Sequence, residues 1–421
     1  MKQVTAVIVG AGNRGQNYAE FADEFPEKLK VVGVAEPRVF YRTKMQQTYG
    51  IPDTAVFSDW KELLKIPKMA DLAIIATPDQ LHKEPVVALA KKGYHILLEK
   101  PMATTEQDCI EIVETCKQAG VMLAVCHVLR YTLTARKIKE IIDSGVIGEV
   151  THLQLLEPVG FWHFAHSYVR GNWRNERQSS FSLLAKSCHD LDLLNFWMHP
   201  AKVSRISSMG SLMHFTKENK PQGASSRCMD CSIENSCPYS AKKLYLDEMV
   251  KQGNTRWPVS VITDVPDIES VTEALKTGPY GRCVYDCDND VMSNQVVNFQ
   301  FDGGQTASFT MVAFTEKICA RQVQVYGSKG ELRCDFDSQV VHHYDFLSQS
   351  TTSHSCVNPS NVRLRGHGGA DHMMMVSLVD AIATNDPSKI LTGSEETLLS
   401  HKLVFAAEKA RKENRVVEFS V

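Results

Sequence analysis

Three glycines near the N-terminus constrain the fold of this chain more than any other feature. Gly10, Gly12 and Gly15 have the spacing G-x-G-x-x-G and directly follow the apolar run 5–9. A buried parallel strand that enters a glycine turn and then a helix presents backbone N–H groups and a positive helix end to a pyrophosphate. The amphipathic stretch 13–24 supplies the helix. The segment is therefore predicted to bind a dinucleotide.

Glu36 indicates which dinucleotide is bound, because it follows a second apolar run, residues 29–35. An acidic side chain there can accept hydrogen bonds from both hydroxyls of the adenosine ribose, and it would repel a 2′-phosphate. Arg38 and Arg42 could pair with such a phosphate, although arginines on a helix after this strand are more often solvated. NAD is the predicted cofactor, and NADP is the less favoured alternative.

The composition fits a globular protein with two domains. The chain has 421 residues, of which 43% are hydrophobic and 23% charged, and its net charge is -3. Interleaved charges of both signs predict no nucleic-acid partner, and no stretch approaches the roughly 18 apolar residues of a membrane span. The three residues before the first strand leave no room for a signal peptide, so a cytoplasmic location with reduced cysteines is expected.

Short apolar runs alternate with helix-like spacing over residues 1–126, which predicts βαβ units. The handedness of such units gives a doubly wound parallel sheet, whose ligands bind beyond the carboxyl ends of the strands. Thr77 and Lys100 fall at such ends. This region is the predicted NAD(P)-binding domain.

The sequence pattern changes after Gly145: the predicted strands become longer, and polar and apolar residues alternate along them. Residues 127–421 are predicted to form a second, α+β domain with an open, mainly antiparallel sheet for substrate binding and oligomerisation. Its last two helices are expected at about 371–383 and 395–412. An irregular, cysteine-rich segment is expected at about 213–290.

A series of motifs along the chain resembles that of the Gfo/Idh/MocA oxidoreductases and covers most of its length. In order, the motifs are Gly10 to Gly15, Thr77-Pro78 with His82, Glu99-Lys100-Pro101, residues 144–148, and His189 with Asp192. The resemblance implies a Rossmann domain followed by an α/β domain whose sheet often forms an oligomer interface. It also implies oxidation or reduction of a sugar or cyclitol carbinol with NAD(P), by a homodimer or homotetramer.

Lys100 is predicted to act in catalysis. At the end of a parallel strand, beside the expected nicotinamide, its ammonium can hydrogen-bond the substrate hydroxyl and stabilise the alkoxide that develops as hydride leaves. The alternative is a surface lysine in a loop. The predicted cofactor site comprises Gly10, Gly12, Asn13, Arg14, Gly15, Glu36, Thr77, Pro78, His82, Glu99 and Lys100.

His189 and Asp192 are the other predicted catalytic residues, and their spacing places them on one face of a helix. The imidazole can take the carbinol proton, while the carboxylate orients it or binds a second hydroxyl. The family pattern has an acidic residue four positions before this histidine and a glycine two before, where this chain has Ala185 and Ser187. Lys186, between them, is therefore predicted to contact an anionic or differently arranged sugar.

Two further groups are candidates for substrate binding. Arg130 and Tyr131 follow the last Rossmann strand, together with His127, where the resemblance implies residues near the substrate; solvation of a helix start is the alternative. Trp162, Tyr168 and Trp173 belong to a stretch rich in aromatic, His and Arg residues. Such a stretch suits a sugar pocket or an oligomer interface equally.

His367 lies in the glycine-rich stretch 366–369, just before a predicted helix. This position suits either the pocket mouth or a helix cap.

Five cysteines in the irregular segment have a spacing compatible with a structural zinc site: Cys228, Cys231, Cys237, Cys283 and Cys287. The last two are not the C-x2-C pair that is usual in zinc ribbons. Packed free thiols are the favoured interpretation, and no metal ligand is included in the predicted site.

The function predicted from these features is hydride transfer between a ring carbinol and the nicotinamide of NAD. His189 is the general base, Lys100 the electrostatic partner and Asp192 an orienting group. An alternative is glycoside cleavage by transient oxidation and elimination, with Tyr168 or Tyr131 as base; a non-catalytic nucleotide-sensing protein ranks last. Hydrolase and NTPase motifs such as G-x-S-x-G and a phosphate-loop lysine are absent.

Overall fold

A computed structural model describes residues 2–357 and 366–420. Its first sheet consists of β1 (Val4–Val9), β2 (Leu29–Ala35), β3 (Val56–Phe57), β4 (Leu72–Ile75), β5 (His95–Leu98) and β6 (Leu123–Val125). All of these strands run parallel, in the order β3-β2-β1-β4-β5-β6. The order reverses beside β1, so the glycine turn after this strand lies at the switch point where doubly wound sheets bind ligands.

Helices cover both faces of this sheet. They are α1 (Asn13–Ala19), α2 (Phe21–Glu24), α3 (Val39–Tyr49), α4 (Lys83–Lys91) and α5 (Glu106–Gln118). Ala6 and Ile8 of β1 belong to one apolar core and Val7 and Val9 to another, so the strand is buried on both sides. The amphipathic stretch 13–24 forms two helices rather than one, with the break at Glu20.

The second sheet has nine strands: β7 (Val150–Pro158), β8 (Val203–Ser211), β9 (Asn294–Phe301), β10 (Thr306–Val312), β11 (Gln322–Gly327), β12 (Gly330–Asp335), β13 (Val340–Asp345), β14 (Ser350–Ser355) and β15 (Val417–Glu418). Their order is β14-β13-β12-β11-β7-β10-β9-β8-β15. Within the described residues β7 and β10 pair in parallel and the other neighbours are antiparallel. The predicted fold class is confirmed.

The remaining helices are α6 (Leu133–Asp143), α7 (Phe161–Phe164), α8 (Ser182–Ala185), α9 (Cys188–Met198), α10 (Ile268–Thr277), α11 (Ala370–Thr384) and α12 (Ser394–Glu413). In β11, Val323 and Val325 are buried while Gln322 and Gln324 are exposed. This alternation gives the sheet one core face, against helices including α9 and α12, and one polar face.

The two sheets are joined by the last long helices. Met374 and Met375 of α11 pack into the same core as Ala6 and Ile8 of the first sheet. The next helix, α12, contacts α5 on one side and α9 and β8 on the other. Residues far apart in sequence therefore meet at the carboxyl ends of β4, β5 and β6.

The segment between β8 and β9 is irregular. Apart from α10 it consists of short turns, including a π-helical turn at Lys242–Asp247.

Over the described parts of the chain, no helix combines the length and apolar character that a membrane crossing needs.

Candidate active site

The glycine turn after β1 is too tightly packed to accept side chains at two of its three glycines. Gly10 has φ +90, and a Cβ there would lie 2.6 Å from the carbonyl oxygen of Ala76. A Cβ on Gly15 would lie 2.0 Å from the carbonyl oxygen of Gly10. At Gly12, in contrast, the nearest atom is the flexible guanidinium end of Arg38, at 3.3 Å. Of these three positions only Gly12 faces a side chain that can move, so it is the one where a dinucleotide pyrophosphate could approach the backbone closely.

Glu36 is only 2% exposed, and its carboxylate stabilises the glycine turn through hydrogen bonds. It accepts hydrogen bonds from the N–H groups of Ala11 (2.8 Å) and Arg38 (3.0 Å) and from Nε of Arg38 (2.8 Å). Burial alone would raise the pKa of Glu36, but the hydrogen bonds from Arg38 bring it below the usual value. The predicted contact with ribose hydroxyls therefore needs the half-exposed Arg38 side chain to move aside. Arg42 donates to the carbonyl oxygens of Glu36 and Pro37.

Arg14 does not face the ligand space in the way the fingerprint predicts. Its Nε lies 2.5 Å from Oε1 of Glu99 and its Nη1 lies 2.9 Å from Oδ2 of Asp371. The hydroxyl of Tyr18 also donates to Oε1 of Glu99, at 2.6 Å. The other oxygen of Glu99 accepts the backbone N–H of Lys100 at 2.9 Å. This buried cluster holds the backbone at the end of β5.

Asp371 was missed by sequence analysis. It lies 357 positions from Arg14 along the chain, so no local spacing could join the two. The link arises because α11 packs on the first sheet.

Lys100 bridges the two halves of the molecule. Its partly buried Nζ donates to the carbonyl oxygen of Ala185 at 2.8 Å. The peptide bond to Pro101 is cis. The ammonium group of Lys100 therefore lies at the last residue of α8, just before α9. The helix α9 carries the other predicted catalytic residues.

His82 joins the two turns that were predicted to contact the cofactor. Its ring nitrogens lie 2.9 Å from the carbonyl oxygen of Thr77 and 2.8 Å from that of Pro101. Because both ring nitrogens of this buried side chain are occupied by backbone carbonyl oxygens, it positions these turns rather than contacting a ligand. Pro78 and Asn13 are exposed beside the glycine turn.

His189 and His127 form the most unusual feature of the site. Both imidazoles are buried, and none of their four ring nitrogens has a hydrogen-bond partner in the described structure. The rings are perpendicular, with centroids 5.6 Å apart. Burial lowers the pKa of His127 to about 4. Burial, followed by the nearby charge of Lys100, lowers the pKa of His189 well below its usual value.

Two further imidazoles flank this pair. The ring centroid of His401 lies 5.2 Å from that of His127, but Nε2 of His401 accepts a hydrogen bond from the N–H of Met102 at 2.8 Å. The ring centroid of His367 lies 5.8 Å from that of His189, and Nδ1 of His367 is 3.0 Å from Oδ1 of Asp371. His367 thus lies beside His189, and its place at a pocket mouth stays a prediction. Of these four imidazoles, His189 and His127 are the ones whose two ring nitrogens are both buried and without a hydrogen-bond partner among the described residues.

Asp192 lies in α9 with His189 but is engaged elsewhere. Its oxygens accept two hydrogen bonds of 2.7 Å from the guanidinium of Arg130, and the hydroxyl of Ser400 donates a third. Burial alone would raise the pKa of Asp192, but Arg130 brings it below the usual value. The structure therefore places Asp192 and Arg130 in a buried ion pair rather than against His189 or a substrate. Tyr131 is similarly engaged, with its hydroxyl bonded to Thr392 and to the N–H of Leu391.

The predicted aromatic residues form a wall on the second domain. The ring of Tyr168 stacks on that of Phe164, with centroids 5.1 Å apart, and its centroid lies 6.1 Å from that of Trp173. The indole N–H of Trp173 donates to Asp79 at 2.9 Å, which ties this wall to the turn after β4. Trp162 contacts Trp257. Burial raises the pKa of both Tyr168 and Tyr131, so neither phenol suits the role of a base near neutral pH.

Lys186 lies in a second buried charge network. Its Nζ is 3.1 Å from Oε1 of Glu157 and 2.9 Å from Sγ of Cys319, and Arg321 contacts the other oxygen of Glu157. Arg321 also binds Asp190 at 2.6 Å. Lys186 is thus neutralised inside the protein, which does not match the predicted contact with an anionic sugar. Nothing in the local sequence indicates this network.

Comparison with known proteins agrees with this architecture. A family model described as an oxidoreductase family with an NAD-binding Rossmann fold matches residues 4–127, and one for the C-terminal alpha/beta domain of an oxidoreductase family matches residues 139–419. The first match confirms the predicted NAD cofactor.

Individual proteins are also similar. The putative oxidoreductase YteT of Bacillus subtilis is 25% identical over 405 residues, which are 89% of this chain and 87% of that protein. A 2,7-anhydro-N-acetylneuraminate hydratase of Mediterraneibacter gnavus is 32% identical over 214 residues, covering 51% and 54% of the two chains. A levoglucosan dehydrogenase solved with NADH and levoglucosan has the same fold, with a TM-score of 0.71, 14% identity and 100% of each chain covered.

Proposed function

Because the chain belongs to the Gfo/Idh/MocA oxidoreductase family, as its motifs predict, we propose that it oxidises or reduces a ring carbinol of a sugar, sugar derivative or cyclitol with NAD. The observation that most supports this is the pair of buried imidazoles without hydrogen-bond partners, His127 and His189, beside Lys100. A buried polar group without a partner costs about 1–3 kcal/mol. Hydroxyl groups of a bound sugar would supply the missing partners.

In the proposed reaction Lys100 stabilises the developing charge and His189 transfers the proton. NAD held at the glycine turn and Glu36 would supply the hydride acceptor or donor. Lys100 donates a hydrogen bond to the carbinol oxygen and stabilises the negative charge that develops there, in exchange for its present bond to Ala185. A free ring nitrogen of His189 takes the proton from the carbinol, and the lowered pKa keeps this imidazole neutral and able to accept it.

A redox-neutral reaction is the second candidate. In such a reaction a hydroxyl is oxidised transiently, a neighbouring group is eliminated or water is added, and the hydroxyl is restored. This sequence needs proton transfer at a second carbon, and His127 is a second neutral imidazole available for it. The similarity to an anhydrosugar hydratase favours this candidate. His127 replaces the two tyrosines predicted from the sequence as its base.

One assay tests both candidates. The purified protein is incubated with NAD and a panel of monosaccharides, uronates, inositols, aryl glycosides and anhydrosugars, while NADH absorbance and product are followed together. NADH that accumulates in step with substrate loss supports the dehydrogenase. Product without net NADH supports the redox-neutral reaction. Failure to bind NAD would contradict both.

The pH dependence of oxidation tests the role of His189. A histidine with an ordinary pKa of about 6.5 loses its function as a base as the pH falls through that value. Because the pKa of His189 is lowered, kcat/KM for oxidation should stay nearly constant as the pH falls from about 8 to about 6.5, and should decline only below that. The measurement is a pH profile of kcat/KM.

Two variants complete this experiment. His189→Gln should lose about 10²–10⁴-fold in kcat/KM, the usual contribution of a general base. His342→Gln, at an exposed histidine of β13, is the matched control and should match the wild type. A half-maximal rate at or above the ordinary histidine pKa, or full activity of His189→Gln, would argue against this base.

A further inference from the structure

Four of the five cysteines in the irregular segment line a single small cavity. Cys228, Cys231, Cys237 and Cys283 all contribute to its wall, and all are free thiols. The backbone brings the distant members together, because the N–H of Cys283 donates to the carbonyl oxygen of Ser226 at 2.8 Å. An isolated β-bridge joins Arg227 to Arg282 beside them. The sequence places the first three close together, but the fold adds the fourth.

The charge around this cavity is unbalanced. Arg170 lines it and is only 1% exposed. Its Nη2 donates to the carbonyl oxygen of Tyr239 at 2.7 Å and contacts Sγ of Cys228 at 3.4 Å, while Nε donates to the backbone carbonyl oxygen of Arg282 at 2.8 Å. Its Nη1 has no partner, and in residues 2–357 and 366–420 no carboxylate lies within ion-pair distance of Arg170.

A buried cation without an anion is unfavourable. A second guanidinium, that of Arg227, also lines the cavity and has an unpartnered Nε. The one carboxylate in the wall, Glu234, is occupied by Ser240 and Lys242. Neutral thiols cannot supply the missing negative charge. Four thiolates around a divalent cation leave a net charge of about -2, which would balance both arginines.

We propose that Cys228, Cys231, Cys237 and Cys283 bind a metal centre through their thiolates. Zn²⁺ and an iron–sulfur cluster share this ligand chemistry. The cavity has a volume of about 20 Å³, which exceeds the roughly 10–15 Å³ that one water needs. Among the described residues no three His, Cys, Asp or Glu side chains are placed to hold one ion, so binding requires the four sulfurs to move toward one another. Each thiol releases its proton to solvent as it binds.

The structure also selects which four of the five cysteines bind. Cys287 does not line the cavity, and its Sγ donates to the carbonyl oxygen of Cys283 at 3.3 Å. Cys228 begins a short turn and the N–H of Cys231 returns to its carbonyl oxygen, so these two sulfurs are held on one tight loop. Cys287 is therefore the natural control for the other four.

The centre would stabilise a segment with little core of its own. The apolar cluster of this region is small and its chain is mostly turns. Arg170 ends the π-helical turn Ala165–Arg170, which also carries Tyr168 of the aromatic wall. A metal centre beside Arg170 would thus support the turn that carries Tyr168.

Metal analysis of the full-length protein tests this inference. The protein is produced in medium with added zinc and iron, purified anaerobically without chelators, and assayed for metals and acid-labile sulfide. We expect about one Zn²⁺ per chain, or iron with a matching amount of sulfide. Replacing Cys228, Cys231, Cys237 or Cys283 with Ser should reduce bound metal about tenfold or more, whereas Cys287→Ser should retain it.

Folding is monitored separately, so that loss of metal is not confused with loss of structure. NAD binding reports on the first sheet in every variant. If a variant does not fold, Co²⁺ is added to the metal-free wild type, where the intense thiolate-to-cobalt absorption shows sulfur ligation. Wild-type protein that lacks metal and sulfide and takes up no Co²⁺ would overturn the proposal. So would disulfides among these cysteines, or equal metal loss in Cys287→Ser and Cys283→Ser.

Discussion

Lys100→Ala should lower kcat about 10²–10³-fold, the usual effect of removing a donor to a developing oxyanion. NAD binding should change little, since Nζ of Lys100 points to the carbonyl oxygen of Ala185 and the glycine turn and Glu36 lie elsewhere on the sheet. The measurements are kcat with the substrate found in the assay and the Kd for NAD. A loss in kcat with an unchanged Kd is the signature of a group that acts in the transition state.

Lys92 provides a matched control in the same domain. Its Nζ donates to the carbonyl oxygens of Leu63 and Leu64, at 2.8 and 2.9 Å, so it is anchored in the same manner as Lys100 but away from the candidate site. Lys92→Ala should therefore retain the wild-type kcat. Near-normal turnover by Lys100→Ala would exclude the proposed role, and an equal loss in both variants would point to a general structural effect.

Asp192→Ala should destabilise the fold, lowering the free energy of unfolding by about 3–5 kcal/mol. The carboxylate holds the buried guanidinium of Arg130 through two hydrogen bonds of 2.7 Å, and removing it leaves a charge without a partner inside the protein. Urea unfolding of the wild type and the variant measures the difference. This outcome would identify Asp192 as a structural residue, whereas the sequence motif predicts a catalytic one.

The double variant Arg130→Met/Asp192→Leu separates the two roles. Replacing both partners by apolar side chains removes the buried charge, so most of the lost stability should return. Full stability of Asp192→Ala together with a large loss in kcat would instead restore the catalytic interpretation.

The first sheet was predictable because its strands are buried on both faces. Parallel strands of this kind appear in the sequence as continuous apolar runs, and β2 has the bounds that its run, residues 29–35, indicates. The helices α11 and α12 likewise extend the predicted ranges by only one residue at each end. The division of 13–24 into two helices was not predictable from its amphipathic pattern alone.

The candidate site was predictable only in part. Motif spacing pointed to Lys100 and His189, and the charge of Lys100 does reach His189 in the structure. Residue type could not distinguish a charged side chain that meets a ligand from one paired inside the protein. Arg14 and Lys186 are of the second kind, because Asp371 and Glu157 arrive from distant parts of the chain.

The sequence by itself determined the class of fold, the glycine turn that is predicted to bind the dinucleotide and the identity of the residues able to do chemistry, because local periodicity and glycine spacing carry that information. Tertiary structure alone decided which charges neutralise one another, which imidazoles are left without partners, and which four of five cysteines share a cavity. The physical reason is that pairing and burial depend on contacts between residues hundreds of positions apart, such as Arg14 and Asp371. No local pattern encodes these contacts.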